Sequence, residues 1–153
     1  MLAATPESLL AATLQLLPPG QRSHYAKSSA GDLVVQTQLD DGSGPGLIRI
    51  AVTPFLHRLS PRASSDSWRL PSGNAVTVSR VPGNCVQSLH VDVQRPNGVV
   101  VSVDVATCRP ERRSALTQEQ AIALADDPLI GAQLPADLVL RSATRFPNLA
   151  RFP

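Results

Sequence analysis

The strongest constraint on how this chain folds is one of parity. Leu89, Val91 and Val93 alternate with polar residues, Val99, Val101, Val103 and Val105 form a second row, and every one of these positions is odd. Successive side chains of a strand point to opposite faces, so each row marks one face of one strand. A two-residue Asn97-Gly98 turn would pair Val99 with Pro96, set odd against even, and expose one valine row. A three-residue loop, Pro96-Asn97-Gly98, instead pairs Val101 with Val93 and Val103 with Val91. Its chemistry agrees: Pro opens the turn, Asn follows, and Gly takes the left-handed conformation of a bulge. The hairpin is thus expected to have one dry face packed by helices. The other face carries His90, Asp92, Ser102 and Asp104, with His90 opposite Asp104 and Asp92 opposite Ser102.

Helix signals occur at two places. Thr5 can cap a helix running to Leu17, Pro6 suits its first position, and Glu7 complements the positive end of the dipole. Leu10, Leu14 and Leu17 form its stripe, and Pro18-Pro19-Gly20 stops it. A second helix starts at the capping box Thr117-Gln118-Glu119-Gln120 and ends at Asp126-Asp127-Pro128. Strands are expected near 32–39, 46–54, 75–81, 86–95 and 99–107, punctuated by turns such as Asp40–Gly46 and Pro71–Asn74, while 57–67 reads as a long loop. This order gives an α+β fold: an antiparallel sheet of five or six strands with one face covered by an N-terminal and a C-terminal helix. Residues 1–130 form the domain, and 131–153 are a C-terminal extension, packed or partly mobile.

Composition narrows the function. Aromatics make up only 3% of the chain and the net charge is +2, too little stacking surface and too little positive charge for a nucleic-acid footprint. No apolar run is long enough for a membrane span. The start, Met1 to Glu7, lacks the basic and apolar regions of a secretion signal, so an exported form would need a signal or anchor absent from this sequence.

Cys85 and Cys108 fall at the open end of the hairpin, nearly opposite but one step out of phase. They are either a disulfide, worth about 3 kcal/mol on the chain-entropy model, or two reduced core thiols. Neither lies in a metal-binding motif, and His24 and His57 sit in expected loops away from His90, so no metal or cofactor is expected. His90, Asp104 and Ser102 have the residue types of a nucleophilic triad, but on an open strand face with no strained elbow and no oxyanion hole. Turn chemistry accounts for Asp40, Asp41 and Ser43 better than calcium binding does, and the glycine-rich run 42–46 joins strand to strand rather than opening a helix. The tail carries Arg141, Arg145 and Arg151 and repeats Arg-Phe-Pro around Phe146 and Phe152, so it either packs on the domain or frays, or it docks an acidic partner or an anionic surface.

Several stretches, taken in order, resemble a family of exported or membrane-anchored actinobacterial, Streptomyces-type extracytoplasmic domains. They are Leu17–Gly20, Leu39–Ile50, Arg69–Gly73, Arg95–Val99 and Leu116–Gln120 leading to Asp127-Pro128. The likeness covers about residues 9 to 130, and the tail departs from it. The resemblance implies an extracytoplasmic, non-enzymatic binding or sensory domain with a protein partner in the cell envelope. Two other readings compete: a small hydrolase using His90 and Asp104 with a Ser nucleophile, and a secreted protease inhibitor presenting loop 57–67.

Overall fold

The computed structural model describes residues 1–42, 44–54, 65–80, 88–106 and 115–153. Ser43, His57, Cys85, Cys108 and the expected loop up to residue 64 lie outside the described residues. In chain order the elements are β1 (Leu2–Ala3), α1 (Pro6–Leu16), β2 (Gln21–Ser28), β3 (Val34–Asp40), β4 (Pro45–Thr53), β5 (Ser65–Arg69), β6 (Ala75–Arg80), β7 (Leu89–Gln94), β8 (Val100–Ala106), α2 (Gln118–Asp126), β9 (Gln133–Leu134), α3 (Ala136–Arg145) and β10 (Ala150–Phe152).

The class is α+β, but the sheet is larger than five or six strands and partly parallel. Eight strands run in the order β10-β2-β3-β4-β8-β7-β6-β5, all neighbours antiparallel except β10 beside β2. Two meanders, β2-β3-β4 and β5-β6-β7-β8, meet at the central β4–β8 pair. The expected hairpin register holds: Val93 pairs Val101, Val91 pairs Val103, His90 pairs Asp104 and Asp92 pairs Ser102. Its turn closes with Gly98 N–H donating to Arg95 O at 2.9 Å, and Gly98 sits at φ 89°, which a residue with a Cβ adopts only under strain.

Parity sorts the whole sheet. Val35 and Leu39 of β3, Ile48, Ile50 and Val52 of β4, Val76 and Val78 of β6, Leu89, Val91 and Val93 of β7, and Val101, Val103 and Val105 of β8 form one buried cluster. Leu9, Leu10 and Leu14 of α1 and Ala121, Leu124 and Ala125 of α2 complete it, so both helices cover the same face. Among the described residues the fully buried apolar side chains are all aliphatic. Gly46 lets the chain pass close at the start of β4, since a Cβ there would lie 2.6 Å from that of Ala115.

Local chemistry sets both expected helices. Thr5 and Ser8 form a reciprocal capping box around Pro6, and Thr117 and Gln120 form the second box. The C-terminal end of α2 is fastened to two turns: Asp126 accepts from Ser72 and Asn74, each at 2.7 Å, and Arg95 donates to Asp127 O at 2.9 Å.

Three expectations need correction. Residues 65–67, expected in a loop, belong to edge strand β5. His24, expected in a loop, sits at a bulge in β2 with φ 57°. A third helix, α3, grows from Leu138–Leu140: Pro135 provides no side-chain cap, but Asp137 and Arg141 pair one turn apart at 2.9 Å and Val139 is buried.

Residues 131–153 are woven into the fold at three places. β9 pairs with β1, α3 packs on α1, and β10 adds to the sheet beside β2. Phe146 meets Tyr25 edge to face, with centroids 5.9 Å apart, whereas Leu140 is exposed. Truncation after Leu140 is expected to cost about 2 kcal/mol or more, since it removes Phe146, Leu149 and β10. Urea denaturation measures this, and a loss of only a few tenths would show the tail to be a surface appendage.

Candidate functional site

The helices occupy one face, and the residues that alternate with the core side chains form the other, even-numbered in β3, β7 and β8 and odd-numbered in β4 and β6. Cross-strand register places Gln36, Arg49, Asp104, His90 and Ser79 in one row across β3, β4, β8, β7 and β6. A second row holds Ala51, Ser102, Asp92, Thr77 and Ser67. The sheet therefore brings together the four residues the hairpin parity singled out.

They form a tighter cluster than a solvated strand face. His90 Nδ1 lies 2.5 Å from Asp104 Oδ1 and its Nε2 lies 2.8 Å from Asp92 Oδ2. Ser102 Oγ donates to Asp92 Oδ1 at 2.5 Å. The His90 and Asp92 side chains are 13% exposed and that of Asp104 17%, because two strands flank the hairpin on one side and four on the other. The His90–Asp104 pair of the hairpin is thus part of a shielded node with two carboxylates on the ring. Asp92 was legible as a same-face neighbour two residues along β7, but its contact with the ring depends on the rotamer.

The electrostatics follow. Burial pushes the imidazole toward its neutral form, but the hydrogen bonds to Asp104 and Asp92, together with both negative charges, outweigh it and raise the His90 pKa from 6.5 to about 9. At neutral pH His90 is an imidazolium that donates from both ring nitrogens. Such a ring has no lone pair with which to accept a proton or ligate a metal. Ser102 gives its proton to Asp92, not to the imidazole, so the triad geometry of a hydrolase is not assembled here. Among the described residues no group of three His, Cys, Asp or Glu side chains converges as a metal site.

Arg49 was missed in the sequence, although alternation along 46–54 puts it on this face. It turns away from Asp104, donating to Gln36 Oε1 at 2.9 Å and lying 4.6 Å from the centre of the Phe152 ring. Phe152 thereby reaches the polar face from the edge strand β10, while Arg151 is exposed on the same strand. Arg141, Arg145 and Phe146 lie elsewhere. Arg141 and Arg145 line a cleft on the helix side, where Arg22 and Tyr25 of β2 join them. Arg22 and Tyr25 carried no sequence signal because β2 was not recognised as a strand. Asp40 accepts from the Gly42 and Gly44 amides at 2.9 and 3.0 Å, which is turn chemistry.

No protein-family model matches the chain, and neither a curated protein nor a solved structure is significantly similar to it. Function is therefore argued from the site alone.

The raised His90 pKa makes stability depend on pH with a defined sign. The unfolded imidazole titrates near 6.5 and the folded one near 9, so the native state holds a proton that the unfolded chain releases between these values. This contribution is fully present below pH 6.5 and is lost as the pH rises through about 9. Unfolding free energies from urea titrations between pH 6 and 9.5 are expected to fall by on the order of 2 kcal/mol, discounted for partial solvent screening, and His90→Gln is expected to flatten that slope.

Proposed function

We propose that this chain is a non-enzymatic binding or sensory domain that acts outside the cytoplasm, with a protein partner in the cell envelope. The observation that carries the reading is the polar sheet face, where His90, Asp92, Asp104 and Ser102 are joined to one another by hydrogen bonds and Ser102 donates to Asp92, not to the imidazole. All three helices contribute to the opposite side of the sheet or its margin, so the polar rows of the described strands present a rigid, preorganised surface. Such a surface recognises a partner through fixed charges at low conformational cost. The extracytoplasmic location rests on the Cys85/Cys108 pair and on the resemblance to exported actinobacterial domains. Among the described residues no helix is long and apolar enough to cross a membrane.

Two measurements test this reading. The immobilised chain is expected to retain an envelope protein that Thr77→Arg, which puts a long cation on the polar face without touching the core, fails to retain. Capture of cytosolic proteins alone, or capture indifferent to Thr77→Arg, would overturn it. Mass spectrometry of the unreduced protein is expected to show the loss of two hydrogens between Cys85 and Cys108. Two freely alkylated thiols would withdraw the extracytoplasmic location.

A further inference from the structure

On the helix side of the sheet, between α1, α3 and β2, lies a cleft of about 470 Å³. Every charged side chain lining it is cationic: Arg22 from β2, and Arg141 and Arg145 from α3. Its apolar part is supplied by Ala11 and Leu14 of α1 and Leu138 of α3, with the Tyr25 ring alongside.

The cations are held differently, and two of them lack a counter-charge. Arg22 donates from Nη2 to the Leu17 and Pro18 carbonyls at 2.9 and 3.0 Å, which fixes its guanidinium where α1 ends. Its Nε is buried with no hydrogen-bond partner, and among the described residues no carboxylate pairs with it. Arg145 lies 4.9 Å from the centre of the Phe146 ring and likewise has no carboxylate partner among the described residues. Only Arg141 is paired, with Asp137 on the exposed side of α3. Three arginines thus line one cleft with, among the described residues, a single carboxylate, Asp137, paired to one of them, which leaves the cleft with an excess of positive charge.

We propose that this cleft binds a small amphiphilic organic anion, a phosphate or carboxylate head gripped by Arg145, Arg141 and Arg22, with a short apolar body laid against Leu14 and Leu138. Planar guanidiniums suit the oxyanion, to which Arg145, with no carboxylate partner among the described residues, can present two parallel donors. The volume falls within the roughly 300–1,000 Å³ of small-molecule sites and far exceeds what a bare inorganic ion fills. The site lies on the side opposite the polar sheet face and does not depend on the function proposed for that face.

The test is calorimetric titration of the full chain with octyl phosphate below its micellar concentration, set beside inorganic phosphate and octanol. Saturable one-to-one binding is expected, with perturbation of the Tyr25 ring resonances, and both comparison compounds are expected to bind about tenfold more weakly or worse. Arg141 and Arg145 are exposed, so the double variant R141Q/R145Q is expected to keep the wild-type melting temperature while losing about tenfold or more in affinity. Absence of saturable binding, undiminished affinity in the double variant, or equal affinity for inorganic phosphate would each overturn the proposal.

Discussion

Everything in this molecule hangs on the pairing of β4 with β8. Neither meander closes a core alone: one brings α1 and the other α2, and only the seam makes their sheets continuous. Seven residue pairs join the two strands, from Leu47 with Ala106 to Thr53 with Val100, and they set Ile48, Ile50 and Val52 beside Val105, Val103 and Val101. A slip of one residue at this seam would turn one valine row into solvent and drive a carboxylate into the aliphatic core. The same register puts Asp104 between Arg49 and His90, so the core and the polar node share one constraint.

That coupling explains how a sheet face of ordinary polar residues acquires a defined electrostatic structure. His90 has neighbours on both flanks because β7 lies inside the sheet, and shielding from water makes its two carboxylate contacts strong. Arg49, drawn toward Gln36 and Phe152, leaves Asp104 to the imidazole. The tail takes part through Phe152, while its arginines Arg141 and Arg145 serve the cleft on the other side.

What could be read from the sequence was what depends on near neighbours. The three-residue loop at Pro96–Gly98, the pairing of His90 with Asp104 and the box at Thr117 each follow from alternation or capping within a few residues. The missed elements depend on distant partners. β2 has no clean alternation because a bulge between Ser23 and Ala26 changes the face its side chains take. β5 is an edge strand of sequence Ser-Asp-Ser-Trp-Arg with mostly exposed side chains, and polar composition there reads as loop. β10 exists only because β2 does. α3 begins at Pro135 without a side-chain cap, so its start carries no capping signature. The depth of the polar node was also hidden, because it depends on the number of strands beside the hairpin.

The central claim is that His90 is a charged, doubly donating side chain at the centre of the polar sheet face and not a free base. Nitrogen NMR of the imidazole, followed through a pH titration of the folded protein, tests it directly. The account predicts both ring nitrogens protonated at pH 7.5, with a midpoint near 9. A neutral ring at pH 7.5 with one unprotonated nitrogen, titrating at or below 6.5, would contradict it.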